Sequence, residues 1–182
     1  MADALDIAQI LSLMSAAFPN FQMKPETPEL YLQLLGDIPA DELKPAVLQS
    51  VSEAGRKFAP SVGEIRGMVS QMRMSVANVP SAYEAWQEVL SEIRSTGSYR
   101  RPEFKHPLVE KAVETMGWRN LCLSENQVAD RARFLQAYEQ LVERAAKEDM
   151  LLPEVRGYIE ERGGKLLDAP AEIKKLADGM SK

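Results

Sequence analysis

An all-α protein is predicted: two small helical subdomains joined by a short linker, with a loosely ordered tail at the C-terminal end. Three observations predict it. Helix start signals recur along the chain, glycine and proline stops fall between them, and no stretch alternates polar and apolar residues as a half-buried strand would. The 182 residues are 45% hydrophobic and 27% charged, an ordinary globular composition for one domain or two small ones. A chain of this size buries roughly 70% of its unfolded surface, so it needs neither a disulfide nor a metal to fold.

The elements follow in order. Ile7, Ile10, Leu11, Met14 and Phe18 recur at spacings of three and four, which predicts a first helix from about Ala4 to Ala17, stopped by Pro19. Thr27-Pro28 reads as an N-cap with proline at the first helical position, opening a helix through Leu34 that Gly36 ends. A third helix is expected from about Ala40 to Ala54, with Pro45 kinking it near its start. Ser61-Val-Gly-Glu64 is a capping box, opening a fourth helix to about Met74. Val76 to Pro80 carries no charge and ends in proline, which places a linker there. A second box, Ser81-Ala-Tyr-Glu84, opens a helix whose stripe is Tyr83, Trp86, Leu90 and Ile93, ended by Gly97. After the loop Ser98 to His106, Pro107 starts a helix that Gly117 ends. Ser124-Glu-Asn-Gln127 reads as a third box, opening the longest helix to about Glu148, with Val128, Ala132, Leu135, Tyr138 and Val142 on one face. Pro153 opens a last helix to Glu161, and Gly163-Gly164 is expected to break the chain. The expected units are therefore 1–75, 81–162 and a flexible tail, 163–182.

Charge and composition narrow the function. The formal net charge is −5. Residues 1–80 hold nine acids and six bases, residues 81–123 six and six, and residues 124–182 twelve and ten. Nucleic-acid binders usually carry a basic balance, so any DNA contact must be local and weak. Cys122 stands alone and cannot close an intrachain bridge, as expected in a reducing cytoplasm. The first residues carry two acids where a signal peptide would be basic, and no run of about 18 apolar residues exists for a membrane.

Catalytic signals are missing. His106 is the only histidine, and Pro107 beside it favours a cap over a triad member. Cys122 lies between Leu121 and Leu123 and reads as a small apolar residue. No metal-ligand spacing occurs. Gly163-Gly-Lys165 lacks the first glycine, the following hydroxyl and the preceding strand of a phosphate loop. Neither an enzyme nor a cofactor or metal is expected.

Two places suit a partner. Tyr99, Arg100, Arg101, Phe104 and Lys105 interleave aromatics with bases. Such a loop can clamp single-stranded nucleic acid or dock on an acidic protein surface; equally, it can be solvated with Tyr99 and Phe104 tucked inward. Met68 and Met72, four apart, offer either a soft partner surface or core filling. Trp118 fits core packing behind Gly117.

Two stretches also carry a resemblance. Phe18-Pro19, Tyr31, Leu34-Leu35 and Phe58-Ala-Pro-Ser-Val-Gly-Glu-Ile-Arg66 resemble the N-terminal domain of the phage replicative helicase loader/inhibitor family. Trp86 to Ile93, Gly97-Ser-Tyr99, His106-Pro-Leu, Met116-Gly-Trp-Arg119, Ser124-Glu-Asn126 and Arg131-Ala-Arg-Phe134 are similar to the C-terminal half of relatives in prophages and mobile elements. Together they cover residues 1–150, the linker excepted. The resemblance implies a helical protein without an ATPase site, acting in the cytoplasm of a bacterial host. It would bind a hexameric DnaB-type helicase, hold it inactive and help load it onto origin DNA with an initiator protein. In the family's prototype the C-terminal part is flexible and engages the helicase; here residues 81–149 carry caps and stripes and should fold. A small helical DNA-binding or regulatory protein is the alternative.

Overall fold

The computed structural model describes residues 1–167. They form nine α-helices and no strand: α1 (Ala4–Ala17), α2 (Thr27–Leu35), α3 (Ala40–Val51), α4 (Val62–Val76), α5 (Ala82–Thr96), α6 (Pro107–Met116), α7 (Trp118–Leu123), α8 (Gln127–Asp149) and α9 (Pro153–Leu167). The expected all-α class is what the chain adopts. Residues 168–182 of the expected tail lie outside the described residues.

The helices gather around two separate cores. Ile7, Ile10, Leu11 and Met14 of α1 pack with Leu35, Leu43, Val47, Ile65 and Val69 of α2 to α4. Ala85, Trp86 and Val89 of α5 pack with Val109 and Val113 of α6, Leu121 of α7, and Phe134 and Tyr138 of α8. Each cluster is a bundle of helices, because an amphipathic helix gains most of its stability from burying its apolar stripe. Ring stacking reinforces the second core: Phe134 lies 5.8 Å from Tyr138 and 5.3 Å from Trp86.

Local signals account for most boundaries. Ser61 accepts the Glu64 N–H while the Glu64 carboxylate accepts the Ser61 N–H, the reciprocal box expected there. Ser81 and Glu84 repeat it. Asp3 and Asp6 form a further box at α1. Gly117 takes φ 81°, a left-handed conformation that ends α6 without a Cβ clash.

Several expectations are corrected. Thr27 is not the N-cap of α2; it lies inside the helix, and its hydroxyl accepts the Lys24 N–H from the preceding turn. Helix α3 ends at Val51, three residues early, and Pro45 sits within it, exposed to solvent. Tyr83 is not part of the α5 stripe: it is 58% exposed, with Arg131 6.0 Å over its ring. The third box does not form. Asn126 caps α8 by accepting the Ala129 N–H, and Ser124 instead accepts the Asn126 N–H. Val128 and Ala132 face solvent, and the core face of α8 runs through Phe134 and Tyr138. The helix starting at Pro153 does not stop at Glu161 but continues through Gly163-Gly164 to Leu167. Trp118 follows the Gly117 cap and packs against the second core as expected, and it also opens the short helix α7, for which no start was expected.

Candidate partner-binding surfaces

The segment Ser98 to His106 is fixed at both ends by groups that the core supplies. Behind it, the Trp118 indole donates to the Gly97 carbonyl at 3.1 Å, and Phe104 meets the Trp118 ring edge-on at 6.1 Å. Phe104 is half-buried against the second core, so it anchors the loop. His106 closes the other end: its Nδ1 accepts the Leu108 N–H at 3.2 Å, capping α6. The Lys105 N–H donates to the Glu88 carboxylate at 2.7 Å.

What remains outside is Tyr99, 94% exposed, with the side chains of Arg100, Arg101 and Lys105. Arg101 approaches Glu110 at 3.4 Å, but the Arg101 side chain is 83% exposed, so water screens the pair and leaves the guanidinium available. A rigidly based loop thus presents one aromatic ring and three cations. Such a surface can stack, pair with carboxylates or touch phosphates. Next to it lies a hollow of about 760 Å³ lined by Glu84, Glu88, Glu92 and Glu103 along with Lys105. The Glu84 carboxyl is held below the usual range, chiefly by the Ser81 hydroxyl and then by the Ser81 N–H.

Met68 and Met72 belong to the other lobe. Both are half-buried against the first core, and with Pro45 and Gln49 they line a hollow of about 390 Å³. They therefore fill the core and edge a surface at once. No hydrogen bond or ion pair among the described residues joins them to the Tyr99–Lys105 loop.

No group of three or more histidine, cysteine, aspartate or glutamate side chains is placed to hold a metal among the described residues. Cys122 is half-buried, and burial pushes its thiol up, away from the reactive thiolate. No described helix is long and apolar enough to cross a membrane.

A cluster the residue-level reading missed lies between the lobes. Arg66 is 7% exposed and forms a two-pronged pair with Asp37 at 2.7 and 2.8 Å. The sequence signal was an arginine between Ile65 and Gly67 in the first turns of an amphipathic helix. Its partners lie about thirty and about eighty residues away, so spacing could not reveal them.

Against known protein families, residues 3–66 match the model described as G39P, N-terminal domain. The match covers α1 to α3 and the first turns of α4, ending at Arg66. Searches of curated proteins and of solved structures found no match.

Proposed function

We propose that this chain, whose residues 3–66 match the model described as G39P, N-terminal domain, is a non-enzymatic replication factor that binds the host's replicative helicase. The partner is a hexameric DnaB-type ring. The protein holds that ring inactive and helps load it onto origin DNA, assisted by a phage or prophage initiator protein, in the cytoplasm of the bacterial host. The family match, which falls on a lobe with its own hydrophobic core, carries this reading.

The mechanism is differential binding. A protein without a reaction of its own can bias a ring only through its different affinity for the ring's idle and running states. Contacts at Tyr99, Arg100, Arg101 and Lys105, steadied by Phe104, would meet an acidic helicase surface, and the Met68–Met72 edge would give an adaptable apolar contact. The test is a pull-down of the host helicase with and without ATP, coupled to its ATPase rate. Binding with an altered rate is expected. Failure to bind in either nucleotide state refutes the reading.

One observation favours a second reading, a small DNA-binding or regulatory protein. Tyr99 and three neighbouring cations stand exposed on one loop, a combination that stacks on single-stranded bases. Salt-sensitive binding to bare single-stranded DNA in the absence of helicase would favour it.

A further inference from the structure

The two cores do not merge: the first takes no side chain beyond Met72 and the second none before Ala82. Besides the linker, one face of α4 joins them by resting on the end of α8, and Arg66, Ser70 and Arg73 supply polar contacts across it. All five N–H donors of Arg66 are used. Its own lobe takes three, through the Leu34 carbonyl at 2.9 Å and the two Asp37 oxygens. The chain leaving α8 takes the other two, through the carbonyls of its C-cap Met150 at 2.7 Å and of Leu151 at 3.1 Å. One turn along α4, the buried Ser70 hydroxyl donates to the Ala146 carbonyl at 3.3 Å. A further turn along, Arg73 pairs with Asp149 at 2.9 Å.

Those three groups match what a helix offers at its carboxyl end. The last carbonyls of a helix lack intrahelical partners and carry partial negative charge. Arg66 meets one such carbonyl, at the Met150 C-cap, together with the Leu151 carbonyl in the turn just beyond, and Arg73 meets an acid in the last turn. Asp37 and Leu34 orient the Arg66 guanidinium from within its own lobe, so its two outward donors do not depend on α8 for their aim. Gly67 has no side chain to block approach: a Cβ placed there would meet only the end of Met150, at 3.5 Å. The geometry points to a docking face on α4 for the carboxyl end of an acid-bearing helix, occupied in this chain by its own α8. A partner helix of that kind binds only by displacing α8. This goes beyond the helicase reading and does not depend on it.

The test uses the full chain carrying Cys122→Ala, with a stapled helical peptide of residues 139–152 as the probe. Asp149→Lys in the chain sets an ammonium against Arg73 and loosens the internal occupant. Helix content should persist, because a cation is favoured at a helix carboxyl end. Ser70→Cys with Ala146→Cys, oxidised, locks the contact shut. A tethered occupant acts at millimolar effective concentration, so the loosened chain should bind the probe at least about tenfold more tightly than the unaltered one. The locked chain should not bind, and a probe with lysine in place of Asp149 should bind at least about tenfold more weakly. Amide exchange in the last turn of α8 should quicken in the loosened chain. Equal affinity for loosened and locked chains, or no binding to a folded loosened chain at millimolar probe, overturns the proposal. So does unchanged exchange.

Discussion

Replacing Phe134 with alanine tests whether the two cores are separate folding units. Phe134 has no solvent exposure and touches two other rings, at 5.3 and 5.8 Å. Truncating a buried phenylalanine costs roughly 3–5 kcal/mol. Each ring pair adds about 0.5–1.5 kcal/mol beyond burial, which places this site in the upper half of that range. For a lobe of about 60–100 residues, each kcal/mol lowers Tm by roughly 4–8 °C, so a drop of at least about 16 °C is expected. Both tryptophans, Trp86 and Trp118, belong to the second core. Tryptophan fluorescence therefore reports that core alone, whereas far-UV circular dichroism reports both. In Phe134→Ala, fluorescence should melt early and circular dichroism should become biphasic, its upper transition near the wild-type value. Leu11→Ala, in the first core, should lower the dichroism transition and leave fluorescence nearly unmoved. Fluorescence and dichroism falling together in one step in both variants would refute the argument from separate cores.

Three further outcomes are expected. The Glu64 carboxyl is held at about 2, first by the Ser61 N–H, then by the Ser61 hydroxyl and Arg56, against its usual 4.5. A depressed carboxylate stabilises above 4.5 and loses that contribution as pH falls toward about 2; Glu64→Gln should flatten this slope in an acid melt, and Ser61→Ala should cost about 1 kcal/mol at neutral pH. Burial, then Glu88 and Glu84, push the Tyr138 hydroxyl up to about 12 from 10, so its contribution is present below 10 and lost as pH rises toward 12. Tyr138→Phe, which also removes the 2.7 Å bond to the Pro80 carbonyl, should blunt that alkaline loss in a fluorescence titration while costing about 1–3 kcal/mol. Changing Arg100, Arg101 and Lys105 together to glutamate should alter stability by no more than about 0.5 kcal/mol per site, yet weaken partner binding. Titration against helicase and against single-stranded DNA at two salt concentrations separates the two readings; unchanged affinity for both marks the loop as solvated surface.

Features that depend on neighbouring residues were legible in the sequence. The span of α1, the boxes at Ser61 and Ser81, and the stops at Gly97 and Gly117 all involve partners within a turn or two. Where two local options competed, the pattern misled. Ser124 and Asn126 are both good caps; Asn126 takes the role by accepting the Ala129 N–H, while Ser124 accepts the Asn126 N–H. Val128 and Phe134 both lie on apolar spacings of α8, but only the core beneath decides which face turns inward, and the first turn of α8 projects past it. Helix α7 is six residues long, too short to show a period. Within the candidate surface, Tyr99 and Phe104 read alike as loop aromatics; the nearby Trp118 ring separates them, holding one and leaving the other outside. Arg66 entered the sequence reading only as the end of the Phe58–Arg66 stretch, because every acceptor it meets is distant in sequence.

The length of α8 has a mechanical consequence. Tyr138 is clamped in the second core, and Asp149 lies eleven residues farther along the same helix, about 16 Å at 1.5 Å per residue. Pivoting the helix about Tyr138 by 10° would sweep its far end through roughly 3 Å. Hydrogen bonds weaken quickly once donor and acceptor part beyond about 3.2 Å. The bond from Arg66 to Leu151 already spans 3.1 Å, so a tilt of only a few degrees would break it. Small changes in how the rings of Trp86, Phe134 and Tyr138 nest are thereby magnified along the rod and arrive in the other lobe as the making or breaking of discrete bonds.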